Sequence, residues 1–175
     1  PGTPFFHDQQ IWEMQTERSE LERELYLQAL HKTASMSLIQ YEVSNFAKAD
    51  FQSRSNLKVW DGQPYLGLGC GAHSFDGVNR WGNVRSMRKY MESVVREEPP
   101  RDFMETPTRL QQASERLMLS LRRPEGLNIL SWQEEFQICL SLEQKNQMEK
   151  LKDQDLVSWE SPILKLTTEG MLLAD

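Results

Sequence analysis

Between Tyr65 and Phe75 the chain reads Tyr-Leu-Gly-Leu-Gly-Cys-Gly-Ala-His-Ser-Phe. Gly67, Gly69 and Gly71 remove side chains from one face of this run, which lets backbone approach a ligand closely. His73 offers a ligand nitrogen or a proton donor, or simply a structural hydrogen bond. Cys70 offers a thiolate ligand or a small buried residue. The run lacks the third glycine and downstream acid of a dinucleotide-binding fingerprint, and it lacks the Lys-Ser/Thr of a P-loop. From Arg54 to Arg96 there are seven cations (Arg54, Lys58, Arg80, Arg85, Arg88, Lys89, Arg96) against three anions (Asp61, Asp76, Glu92), in a chain whose net charge is -6. Trp60, Tyr65, Trp81 and Tyr90 are interleaved with them. Aromatic surface with convergent cations suits a flat ligand bearing carboxylates, because a guanidinium meets a carboxylate with two parallel hydrogen bonds. Arg85, Arg88 and Lys89 fit a solvated helix face equally well.

The elements that position these residues follow from periodicity. Thr16 to Ala34 places Leu21, Leu25 and Leu30 at helical spacing, with Ser19 and Glu22 as a capping box, and predicts an amphipathic helix. Tyr41 to Ala47 alternates at period two and predicts a half-buried strand. The cationic stretch predicts a loop running into a helix over Ser86 to Val95. Glu97-Glu98-Pro99-Pro100 reads as a linker and divides the chain into residues 1–98 and 101–175. Beyond it, Thr106 with Pro107 predicts a helix start, and Leu110, Ala113, Leu117 and Leu121 predict its apolar stripe. Ser131 with Glu134, and Ser141 with Gln144, predict two further capped helices carrying Trp132, Phe136, Met148 and Leu151. Leu156 to Trp159 and Ile163 to Thr167 alternate as the arms of a hairpin do. Helix, helix, helix, hairpin is the order of a winged-helix-like module. The fold class is therefore α/β with a small helical C-terminal domain.

Composition narrows the function classes. The 175 residues include 38% hydrophobic and 26% charged side chains, with five Trp and eight Met as core material. The acidic balance argues against a general nucleic-acid or anionic-membrane binder. Residues 100–175 hold nine cations and thirteen anions, so a duplex approaching the winged-helix-like end would meet net repulsion. Cys70 and Cys139 are the only cysteines and lie far apart, which gives no metal-type spacing and no disulfide framework. A reduced, cytoplasmic setting is the expectation. Pro1-Gly2-Thr3-Pro4-Phe5-Phe6 has neither an initiator Met nor a signal-peptide pattern, and no apolar run reaches transmembrane length, so an excerpt of a longer protein is expected.

Four separated segments together resemble one family. They are Pro1 to Phe5, Tyr41-Glu42-Val43-Ser44-Asn45-Phe46-Ala47, Arg54-Ser55-Asn56-Leu57-Lys58-Val59-Trp60, and Tyr65 through Ser74. In this order they resemble the second half of radical S-adenosylmethionine proteins of the HemW and oxygen-independent coproporphyrinogen III oxidase group. Arg116-Leu117-Met118-Leu119 through Thr168-Glu169-Gly170-Met171 resembles the terminal domain of the same proteins. The resemblance implies the late part of a partial β/α barrel over 1–98, with Tyr41 to Ala47 as a late barrel strand, and a HemN-type domain over 101–175.

For the whole protein the resemblance implies a [4Fe-4S] cluster, S-adenosylmethionine and haem as cofactors or cargo, and a haem-acceptor protein as partner. The activity it implies is haem delivery. The alternative is removal of hydrogen from coproporphyrinogen propionates by a 5′-deoxyadenosyl radical, with the cofactor carrying the hard chemistry. It points to Tyr41, Asn45, Arg54, Asn56, Trp60, Gly67, Gly69, Gly71 and His73 as residues near cofactor or porphyrin, and assigns this chain no catalytic residue and no metal ligand. Two departures stand out. The family's haem-associated pattern H-N-x-x-Y-W meets Ser55 and Val59 here in place of His and Tyr, while Asn56 and Trp60 are kept. A serine hydroxyl is a poor axial ligand for haem iron. Cys70 stands where the family commonly has Pro.

One outcome follows from the cysteines alone. Anaerobic reconstitution of this polypeptide with iron and sulfide is expected to leave it without a [4Fe-4S] cluster, because two distant thiolates cannot replace the family's three. Stoichiometric iron with a charge-transfer absorbance would contradict this.

Overall fold

The Glu-, Leu- and Gln-rich run forms a helix, α1 (Gln15–Ser35), in the computed structural model, which describes residues 15–174. The opening Pro1-Gly2-Thr3-Pro4-Phe5 motif lies outside the described residues. Ser19 sits inside α1, so it is not the cap that its spacing to Glu22 suggests. Leu21 and Leu25 are about half exposed, so this part of the expected apolar stripe is uncovered. Arg23 holds α1 to the far end of the chain through an ion pair with Glu169. That hydrogen bond lowers the Glu169 pKa below its ordinary value against an opposing effect of desolvation, and the Arg23 charge acts in the same direction as the bond.

Tyr41 to Ala47 is a hairpin and not one strand. β1 (Ile39–Glu42) pairs antiparallel with β2 (Asn45–Ala47), aligning Ile39 with Ala47 and Gln40 with Phe46. Val43 and Ser44 make the turn. The buried Glu42 carboxylate accepts the Ser44 N–H at 3.0 Å, and the Gln40 amide donates to the Val43 carbonyl at 2.9 Å. Neither Val43 nor Ser44 has a positive φ, so the turn needs no glycine, and period-two alternation passes through it without a break.

Helix α2 (Arg54–Trp60) follows, capped by Ser53, whose hydroxyl accepts the Asn56 N–H. Three antiparallel strands come next in sheet order β3-β4-β5: β3 (His73–Phe75), β4 (Arg80–Asn83) and β5 (Arg101–Glu105). The β3–β4 turn is set by Asp76, whose carboxylate accepts the N–H groups of Val78 and Asn79 at 2.8 and 2.6 Å. Helix α3 (Met87–Val95), capped by Ser86, occupies the expected span. Its apolar positions Met87, Met91, Val94 and Val95 are exposed. The Glu97 to Pro100 break is the turn between α3 and β5. The first sheet continues beyond it, because β5 pairs with β4 from Arg101 to Glu105.

The remaining elements share a core. They are α4 (Arg109–Leu121), β6 (Leu127–Asn128), α5 (Ile129–Phe136), α6 (Leu142–Asp153), β7 (Val157–Glu160), β8 (Ile163–Leu166) and α7 (Thr168–Leu172). Thr108 caps α4 in a full capping box with Gln111, two residues after the expected start. Thr106 instead donates to the Asn79 side chain at 2.6 Å. Asn128 caps α5 by accepting the Ser131 N–H, which makes Ser131 the third helical residue and not the cap. The Ser141–Gln144 capping box on α6 is present as expected. The expected hairpin is β7 paired with β8, and β6 adds a third strand in the order β6-β8-β7.

Ala113, Leu127, Ile129, Trp132, Phe136, Val157 and Leu164 form the buried cluster, with Leu117, Leu121, Met148 and Leu151 packed against it. Leu110, the first member of the expected stripe, faces solvent. Trp132 fills the junction of α4 and α5, and its indole N–H donates to the Ala113 carbonyl at 2.9 Å. Replacing Trp132 with Ala is expected to cost about 3–5 kcal/mol of unfolding free energy in urea. Trp132→Phe, which keeps one six-membered ring but deletes the donor and the rest of the indole, is expected to cost about 1–3 kcal/mol. Equal losses for the two variants would show that the packing of the remaining six-membered ring adds nothing measurable.

Candidate functional site

The glycine run is a loop closed at its base and tied down along its length. Tyr65 and Phe75 exchange backbone hydrogen bonds at 2.8 and 2.9 Å. Ser74, fully buried, accepts the Gly67 N–H at 2.9 Å. The buried Asn83 amide donates to the Gly69 carbonyl at 2.9 Å and to the Gly67 carbonyl at 3.4 Å. The Tyr90 hydroxyl accepts the Gly69 N–H at 3.1 Å, and the Gly71 N–H reaches the Val84 carbonyl at 3.0 Å. β3, β4 and α3 therefore all hold the loop.

The glycines have different reasons. A Cβ on Gly67 would sit 2.1 Å from the His73 carbonyl oxygen, so this glycine is required by the chain's own backbone. Gly69 has φ +105°, which favours glycine, and faces open space, so here the backbone is accessible. Leu66 and Leu68 beside it are 69% and 82% exposed. The loop presents apolar side chains around one glycine whose Cα faces open space, its N–H and carbonyl engaged by Tyr90 and Asn83.

His73 lies exposed on β3, its ring 5.5 Å from that of Phe103 on β5 in an edge-on contact. Cys70 is half-buried and free. Among the described residues no three His, Cys, Asp or Glu side chains are grouped to hold a metal ion. A [4Fe-4S] cluster therefore does not fit the residues present.

Tyr41 and Asn56 are brought together. The buried Tyr41 hydroxyl accepts from the Asn56 side-chain amide at 3.3 Å, joining β1 to α2. Asn45 on β2, and Arg54 and Ser55 at the start of α2, are exposed, while Trp60 at its end is half-buried. The cations do not all converge. Arg80 pairs with Glu105 and Glu115; its hydrogen bond to Glu105 raises its pKa against the opposing effect of burial. Arg88 pairs with Glu92 one turn along α3. Arg85, Lys89 and Arg96 are exposed, which fits the solvated-face reading of this helix.

A cleft of about 380 Å³ opens where the end of α2 meets α4 and α5, lined among others by Val59, Tyr65, Phe75, Met118 and Phe136. Val59, the position of the family Tyr, thus faces a cavity. Periodicity gave no sign of Ser74, Asn83 and Tyr90 as loop anchors, because their partners are backbone groups of distant residues.

No family model matches the chain. It is 30% identical over 176 residues to the haem chaperone HemW of Bacillus subtilis, covering 100% of this chain and 46% of that protein. This chain is HemW-like. It spans about half the length of that relative. The mitochondrial radical S-adenosyl methionine domain-containing protein 1 of Bos taurus is 27% identical over 186 residues, which cover 99% of the HemW-like chain and 42% of the bovine protein. Among solved structures, coproporphyrinogen III oxidase (HemN) from Escherichia coli, described as a radical SAM enzyme, superimposes with a TM-score of 0.66. That match covers 85% of the HemW-like chain and 38% of HemN at 16% identity, and it shows the fold. No helix among the described residues is long and apolar enough to cross a membrane.

The loop geometry yields a test. Asn83→Ala removes the donor to two loop carbonyls and is expected to cost about 1–3 kcal/mol. Gly67→Ala is expected to cost at least about 1–3 kcal/mol, because the His73 carbonyl has to move. Urea unfolding measures both, and a fully stable Gly67→Ala protein would contradict the close approach.

Proposed function

We propose that this chain is the porphyrin-facing and C-terminal portion of a haem-trafficking protein. In its full-length form that protein binds S-adenosylmethionine, a [4Fe-4S] cluster and haem, and passes haem to an acceptor protein. The observation that carries this reading is the 30% identity to a haem chaperone along the entire chain. Within it, the residues proposed to lie near cofactor or cargo are Tyr41, Asn45, Arg54, Asn56, Trp60, Gly67, Gly69, Gly71 and His73. The Tyr41–Asn56 hydrogen bond supports it by fixing the helix that carries Arg54 and Trp60. The cluster ligands are proposed to come from outside this chain. The working location is proposed to be the cytoplasm.

The roles assigned to this chain's residues are binding and orientation. The Trp60 ring offers a face for a macrocycle, and Arg54, exposed one helix length away, offers a donor for a propionate. Ser55 supplies no imidazole, so axial ligation at that position is absent from the proposal. We place the domain boundary after Glu105, because β5 belongs to the first sheet. The coproporphyrinogen oxidase reading is the weaker one, since the likeness to that enzyme lies in the fold at 16% identity.

The departures at Ser55 and Val59 provide the experiment. In a full-length background, Ser55→His with Val59→Tyr restores the family pattern. It is expected to tighten haem binding roughly tenfold, about 1.4 kcal/mol, and to shift the Soret band. Tight binding by the unmodified protein, with neither affinity nor spectrum altered by Ser55→His, would move the ligand elsewhere. His73→Ala then tests the exposed imidazole on β3.

A further inference from the structure

Helix α2 has seven residues and none of them is fully buried, with Asn56, Leu57 and Trp60 half-buried, so neither length nor a packed core alone holds it in place. Its position depends on its ends. At the N-terminal end Ser53 caps it and Asn56 bonds to Tyr41. At the C-terminal end the N–H groups of Asp61, Gly62 and Gln63 already bond the Leu57, Val59 and Lys58 carbonyls at 2.8–2.9 Å, and the negative end of the helix dipole favours cations there. Two arginines from the second half of the chain meet that end. Arg116 Nη1 donates to the Asp61 carbonyl oxygen at 2.6 Å, and Arg123 Nη1 pairs with the Asp61 carboxylate. Gly62, at φ +65°, suits the left-handed backbone of the turn, and the Arg116 guanidinium lies at ordinary contact distance from it. A Cβ there would be 3.5, 3.6 and 3.7 Å from its Nη2, Cζ and Nη1. Arg80 of β4 adds a parallel tie to Glu115, the neighbour of Arg116 on α4.

We propose that Arg116 and Arg123 are positioning residues. By clamping Asp61–Gly62 they make the core of the second half the reference that sets α2, and with it Arg54, Asn56, Val59 and Trp60. The clamp itself stands on geometry; its consequence for haem rests on the reading under Proposed function. Arg116 also lines the cleft that Val59 faces, so the clamp and the cavity share a wall.

Hydrogen exchange on the whole chain tests this directly. In Arg116→Ala/Arg123→Ala the amides of Leu57 to Gly62 are expected to exchange about tenfold faster, the loss of charge-assisted hydrogen bonds, while those of α5 and α6 keep their protection. Arg116→Gln with Arg123→Lys, which retains a donor at each place, is expected to recover most of that protection. Unchanged protection of Leu57 to Gly62 in the double alanine variant overturns the proposal. If that variant loses α5 and α6 protection as well, Asp61→Asn serves instead, with faster exchange confined to the same amides expected and no change overturning the clamp. Haem titration in the full-length background separates the two readings. Loosened α2 with weakened haem binding supports the positioning role, and loosened α2 with unaltered haem binding overturns it. Failure of the unmodified full-length protein to bind haem overturns the haem reading and leaves exchange to decide the clamp.

Discussion

The Trp132 indole reaches the Ala113 carbonyl because residue 113 has almost no side chain, and this sets how closely α5 approaches α4. A larger residue at this fully buried position would push the helices apart and open the core to which Leu117, Leu121, Val157 and Leu164 contribute. With its inner stripe fixed, α4 presents Glu115 and Arg116 toward the first half of the chain, and Arg123 follows just past its end. These side chains meet Arg80 and the Asp61–Gly62 turn. One helix thus has an apolar face that belongs to the second half and a charged face that grips the first.

The first half is built differently. Its three-stranded sheet has Ser74, Gly82 and Asn83 buried, but no large apolar cluster lies beneath it among the described residues. Order in the glycine loop comes instead from polar anchors, each satisfied by backbone, which is how buried polar groups are made tolerable. The exposed Leu66, Leu68, Met87, Met91, Val94 and Val95 belong to this half as well. A HemW-like chain that spans 46% of its Bacillus subtilis relative carries surfaces whose apolar character its own residues do not cover.

Similarity to a haem chaperone and departure at Ser55 and Val59 are compatible in physical terms. Asn56 is held by Tyr41, and Trp60 ends the helix beside Asp61, whose carbonyl accepts from Arg116. Ser55 is exposed, and Val59 stands 40% exposed on the wall of the cleft. The helix keeps its place while the side chains it presents differ.

Local signals carried in the sequence determined α1, α3, the Ser141 cap and the β7–β8 hairpin, since each depends on neighbours within a few residues. The four family segments likewise identified the HemW-like character by themselves. Tertiary structure decided the rest. Tyr41 to Ala47 became a hairpin because Glu42 and Gln40 bond across a turn that has no glycine. The start of α4 moved to Thr108 because Thr106 found Asn79, a residue of the distant β3–β4 turn. The cationic stretch lost Arg80 to Glu105 and Glu115, carboxylates that lie 25 and 35 residues away along the chain. Gly67 proved to make room for the His73 carbonyl. In each case the deciding partner is distant in sequence, and only folding brings it within reach of a hydrogen bond.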